Sequence, residues 1–231
     1  MEETGRQSHW IPLSDLMTGL MMVFLLIAVA FMLRVQESAK VATEMATQFE
    51  GTKSDLNQAL QEEFKDDLRR WNAEILADLT VRFRDPEVLF TTGNAQLRER
   101  FRDILFDFFP RYVAILYSEK YRATIKEIRI EGHTSSSWAN ARSPLEAYLK
   151  NMELSQARTR TALEFLLRVQ VTSTDEQWLR TRLTANGLSS AHPIVIAGIE
   201  DQVRSQRVEF RVVTNAEERM DAISKAAVGA L

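Results

Sequence analysis

Hydrophobic side chains follow three successive regimes along the chain. Across residues 11–33 nearly every position is apolar, and Asp15 is the strongly polar exception. A helix rises about 1.5 Å per residue, so this run suffices to cross a hydrocarbon core of roughly 30 Å. Residues 21–31 are apolar on every face, which suits lipid rather than the one-sided burial of a soluble helix. Between 34 and 79 the apolar positions recur in steps of three and four, at Val35, Ala39, Ala42, Ala46 and Phe49, then at Leu56, Leu60, Phe64, Leu68, Trp71, Ile75 and Leu79. That spacing predicts a helical stalk over 34–74, interrupted at Gly51-Thr52-Lys53-Ser54-Asp55, where Ser54 or Asp55 is suited to cap a second helix.

After Asp78 the pattern changes again. Strands are predicted at 80–83, 88–90, 125–132, 194–197 and 207–213, and helices at 95–116 (punctuated by Pro110), 154–169 and 175–186. Strands interleaved with helices make a two-layer α/β domain, drawn here over 75–214. The expected class is α+β: a tail at 1–10, a single N-terminal transmembrane helix at 11–33, a helical stalk, the C-terminal domain and a tail at 215–231.

A cleaved signal peptide is the competing reading of the apolar run, because Ala28-Val29-Ala30 imitates a small-residue cleavage site. Glu2 and Glu3 stand where a basic cluster belongs, however, and the run continues past that site. Flanking charge does not orient the helix: Arg6 lies on one side, Arg34 and Lys40 on the other. Asp15 carries more information, since an ionised carboxylate in mid-bilayer costs about 3 kcal/mol or more and is retained mainly for function. Two readings stay open. Asp15 either sits at the interface, with Pro12 and Ser14 in the first turn, or carries an ion. Thr18, Gly19, Met22 and Leu26 share its face, offering a hydroxyl and a bare backbone to an approaching helix.

Composition narrows the remaining classes. A net charge of −3 over 231 residues gives no electrostatic reason for a nucleic-acid partner. The absence of cysteine excludes disulfides, thiolate metal sites and a lipidated cysteine. His9, His133 and His192 show no metal-ligand spacing, and no set of residues combines nucleophile, base and oxyanion donors. The chain is therefore expected to be neither an enzyme nor a cofactor or metal protein.

The run Trp10-Ile11-Pro12-Leu13-Ser14-Asp15-Leu16-Met17-Thr18-Gly19-Leu20-Met21-Met22 resembles the membrane helix of MotB-type stator subunits. The resemblance implies a cytoplasmic N-terminus, H⁺ or Na⁺ carried by Asp15 with Ser14 and Thr18 as neighbours, and two copies inside a ring of MotA-type multi-pass subunits in the bacterial inner membrane. Farther on, Ile130-Glu131-Gly132-His133-Thr134, Asn151-Met152-Glu153-Leu154-Ser155-Gln156-Ala157-Arg158 and Gln206-Arg207-Val208-Glu209-Phe210 resemble the signature of periplasmic OmpA-like peptidoglycan-binding domains. In that family an arginine at the position of Arg158 and an aspartate directly after "Gly-His-Thr" grip the diaminopimelate of a wall peptide. Here Ser135 replaces the aspartate, and the loop 135–151 looks expanded. A guanidinium still holds a carboxylate, whereas a serine does not neutralise an ammonium group. By its place in the motif Asn151 either contacts ligand or fixes the loop, while Arg158 either contacts ligand or forms a structural ion pair.

The N-terminal phrase and the expanded loop, without a basic leading tail, look more like the ZorB family, the MotB-like subunits of Zorya anti-phage systems, than like flagellar MotB. That likeness implies ZorA as the ring partner. A flagellar stator subunit and a passive envelope tether are the alternatives.

Overall fold

The computed structural model describes residues 10–84, 89–91, 93–168 and 173–215. Most of the two expected tails and parts of the expected elements at 88–90 and 154–169 lie outside these residues. The described residues divide between two units, 10–48 and 49–215.

In the first unit α1 (Trp10–Phe64) begins. Its stretch Leu13–Val41 is long and apolar enough to cross a membrane. Large side chains there, such as Leu16, Leu26 and Ile27, are exposed throughout. A row of uncovered leucines, methionines and phenylalanines has no place in water, so lipid or other helices must cover it.

The second unit shows why α1 does not stop at Gly51. The helix passes through 51–55 unbroken, correcting the expected interruption. One helical glycine costs only about 1 kcal/mol relative to alanine, and burial of Leu56, Leu60 and Phe64 immediately beyond it outweighs that. These three form a stripe within the core, so the expected stalk is divided: 34–48 belong to the first unit and 49–74 to the folded unit. The helix ends at Phe64 instead of continuing to residue 74. Asn72 turns the chain with φ 50°, and Ala73–Ile75 becomes strand β1.

The remaining elements are β2 (Thr80–Phe83), α2 (Glu99–Tyr117), β3 (Ile125–His133), α3 (Pro144–Leu166), α4 (Ser173–Arg180), β4 (Leu183–Gly187), β5 (Val195–Ile196), β6 (Ile199–Glu200), α5 (Gln202–Ser205) and β7 (Arg207–Thr214). Five strands form one sheet in the order β1-β2-β7-β3-β4, antiparallel except for the β3–β4 pair. Alternation along β2, β3 and β7 sends Val81, Phe83, Ile128, Ile130, Val208, Phe210 and Val212 into the core with α2 and α3. Phe83, Phe108 and Phe210 meet there edge to face, at centroid distances of 5.2–5.8 Å. Phe64 of α1 lies 5.2 Å from Phe108.

Two expectations near the site change. α3 starts ten residues before the predicted position because Ser143 caps it: its side chain accepts from the Glu146 N–H, Pro144 occupies the first turn, and the Glu146 carboxylate accepts from the Arg142 N–H. Residues 144–151 of the supposed loop 135–151 are thus the first two turns of a helix. The predicted helix 175–186 breaks after Arg180, and Leu183–Gly187 pairs in parallel with β3. The strand expected at 194–197 is half of the separate β5–β6 hairpin, whose turn residues Ala197 and Gly198 have φ of 52° and 83°.

Candidate functional site

Two regions hold the residues singled out from the sequence. Asp15 is exposed on α1, surrounded by exposed apolar side chains. Thr18 shares its face, but the Thr18 hydroxyl donates to the Ser14 carbonyl at 2.8 Å, satisfying itself within the helix. One copy of the helix therefore offers a carboxylate and a glycine, without an enclosing site.

The second region is a cleft of about 900 Å³ in the folded unit, between the start of α3, the loop after β3 and the segment before β7. α3 is held against the sheet by glycines: a Cβ on Gly132 would lie 2.7 Å from Thr159 Cγ2, and one on Gly187 2.3 Å from the Gln156 nitrogen. Close approach there sets the height of Arg158 above the strand ends.

Arg158 is 7% exposed and lines the cleft. Its Nε donates to the Asn94 carbonyl at 3.0 Å, and its guanidinium lies 5.0 Å from the centre of the Phe90 ring. Among the described residues no carboxylate pairs with it. Burial pushes its pKa down to about 10, the mark of a cation stripped of water without a counter-charge. Asn151 donates from Nδ2 to the Ser137 carbonyl at 3.2 Å, so its amide fastens the loop after β3. Ser135 is buried, with Oγ 3.2 Å from Ser137 Oγ. Ser155 links α3 to the neighbouring loop by donating to the Met152 carbonyl and accepting from Ser189 N–H, while Leu154 lines the cleft. Ser136 binds the Glu200 carboxylate and Ser137 the Gln202 side chain, lacing the loop to the 188–206 segment. Arg84, Arg204, Trp138 and Val203 complete the part of the lining relevant to charge and shape.

Sequence reasoning missed the polar cluster on the opposite face of the sheet. Glu131 and Glu209 are register partners on β3 and β7, and with His133 they bring ligand-type atoms within 4.8 Å of one another. Alternation in Arg207-Val208-Glu209 beside Glu131-Gly132-His133 carried that signal once the strands were paired. Glu209 Oε1 already accepts from Arg82 and Arg207, each at 2.6 Å, so its charge is compensated and the cluster reads as an ion network. Burial alone raises the Glu209 pKa; His133, 3.2 Å away, and Arg207 outweigh it and hold the carboxyl far below the ordinary range.

No family model matches the chain. The fold is similar to that of a putative MotB-like protein from Desulfovibrio vulgaris, with a TM-score of 0.51 at 22% identity, covering 73% of this chain and 98% of that one. The cell wall anchor of the type VI secretion system (T6SS) from Pseudomonas aeruginosa aligns over 67% of this chain and 96% of its own, at 22% identity and a TM-score of 0.46. In sequence the chain is 46% identical over 211 residues to Zorya protein ZorB of Escherichia coli (strain ATCC 8739, Crooks), covering 90% of this chain and 89% of that protein. At that identity and coverage, with the MotB-like fold in agreement, this chain belongs to the ZorB family of Zorya proteins.

Proposed function

We propose that the chain is the ion-carrying, wall-anchored subunit of an ion-driven anti-phage motor. In this reading α1 crosses the inner membrane once, with the N-terminus in the cytoplasm and the folded unit in the periplasm. Two copies stand inside a ring of ZorA/MotA-like subunits, and Asp15 binds and releases H⁺ or Na⁺ as its surroundings alternate between wet and dry. Peptidoglycan held at the Arg158 cleft keeps the pair still while the ring turns. The observation that carries the reading is Asp15 itself, an acidic side chain in a helical stretch dominated by exposed apolar groups such as Leu13, Leu16 and Met17. A passive tether needs no such group.

The anchor half is supported by the guanidinium of Arg158, which lines the cleft and meets no carboxylate among the described residues. Ser135 and Asn151 contribute by shaping the loop beside it. The test is Asp15→Asn in cells carrying the full system: expression and sedimentation with sacculi stay at the parental level, and protection against phage is lost. Protection equal to the parent would leave a tether.

A further inference from the structure

The wall-anchoring reading says that a peptide is held; the charges in the cleft say which of its groups is read. Three arginines line it, Arg84, Arg158 and Arg204, and among the described residues no lining side chain is acidic. Two of the three are already compensated. Arg84 pairs with both oxygens of Glu74, and Arg204 lies 3.5 Å from Asp201. Arg158 has only the neutral Asn94 carbonyl, at Nε, and the Phe90 ring. Its two terminal nitrogens meet no acceptor among the described residues, which leaves the end-on fork free for one carboxylate.

The groups flanking that fork are uncharged. Ser135 and Ser137 contribute hydroxyls, and the Asn151 amide is committed to the Ser137 carbonyl. Glu200, on the neighbouring hairpin, is held by Ser136 N–H and Oγ. A hydroxyl accepts from an amide N–H as readily as from an amine, but supplies no counter-charge to an ammonium. Trp138 and Val203 add apolar wall, suited to an aliphatic side chain.

We propose, resting on the wall-anchoring reading, that this cleft reads one carboxylate of a stem peptide and does not read its side-chain amine. N-acylated stems, whose amine is consumed in a cross-link, then bind as well as free ones. Anchoring would be insensitive to how densely the wall is cross-linked, provided one carboxylate per site stays accessible.

Purified sacculi test this with the full chain in detergent, in three forms: untreated, N-acetylated with acetic anhydride, and N-acetylated then amidated at the carboxylates with carbodiimide and glycinamide. Acetylated sacculi should bind within about twofold of untreated ones, and amidated sacculi about tenfold or more weakly, the loss expected on removing a charge-assisted bidentate pair. Untreated sacculi that bind while acetylated ones do not would overturn the amine-blind cleft and leave wall anchoring intact. Failure to bind untreated sacculi would overturn both. Ser137→Asp, at an exposed lining position, should create a preference for free-amine sacculi. Ser135→Asp should do the same if its buried site tolerates the charge. A Ser137→Asp protein that folds and binds both forms equally would count against placing the amine beside these serines.

Discussion

A Cβ built on Gly187 would stand 2.3 Å from the backbone nitrogen of Gln156. Strand β4 and helix α3 therefore touch through backbone, and the contact lies two residues before Arg158. Neither partner is the tip of a side chain that swings away. Gly187→Ala must push α3 outward or distort β4, at a cost of about 1–3 kcal/mol and somewhat more if the strand pairing yields. The expected result is a lower melting temperature together with weaker sedimentation with sacculi. Unchanged melting would mean that this contact is looser than its distance implies.

The end of α1 belongs to the core. Leu60 is fully buried, and Arg111 fastens the same turns by donating to Glu63, Asp67 and Asp107 at 2.7, 2.9 and 3.2 Å while covering the Phe64 ring. Leu60→Ala should cost about 2–5 kcal/mol by opening a cavity. Leu26→Ala, on the exposed apolar part of the helix, should leave the melting of the folded unit where it was. Thermal unfolding of the full chain in detergent, followed by tryptophan fluorescence, separates the two; equal shifts would place Leu60 outside the cooperative core.

What the sequence displayed, and what it hid, follows from the range of the interactions. The lipid-compatible run, the strands at 80–83 and 125–132 and the helix around Pro110 are written in local periodicity. Leu183–Gly187 is too short to show one, and becomes a strand because β3 lies beside it. Gly51 looks like a breaker, yet Leu56 and Leu60, packed in a core assembled from distant residues, carry the helix through. At the cleft, Arg158 and Asn151 were visible as motif positions. That no carboxylate among the described residues pairs with Arg158 was not, because an ion pair depends on which side chains fold back toward it. Likewise the register that sets Glu131 opposite Glu209 exists only once β3 and β7 pair.

That register makes a pH prediction. The Glu209 carboxyl is held well below its ordinary value of 4.5, so in the folded state it stays ionised where the unfolded chain takes up a proton. A depressed folded pKa stabilises the protein above the unfolded value, and the gain disappears as pH falls from about 4.5 toward the folded pKa. Melting temperature should therefore drop through the acid range. Glu209→Gln should be less stable at pH 7, because Arg82 and Arg207 lose their shared anion, and should show a flatter decline below pH 4.5. A decline as steep as the parent's would assign the acid sensitivity to other carboxylates.

Gly19 lies one helical turn from Asp15, and among the described residues nothing comes within 4 Å of a Cβ placed there. Taken alone, the helix gains from any side chain: alanine at an interior glycine is worth about 0.5–1 kcal/mol. A glycine on the face of a membrane carboxylate makes sense when another helix backbone comes close, as small residues permit in lipid. On the proposed function, Gly19→Leu should then insert and express normally, hold sacculi as before, and fail to copurify with the proposed ring partner or protect against phage. Gly19→Ala, a smaller intrusion, should retain part of both activities. If Gly19→Leu copurified and protected like the parent, the face bearing Asp15 would look onto lipid, and the proposed transfer of an ion at Asp15 would have no neighbouring helix to take part in it.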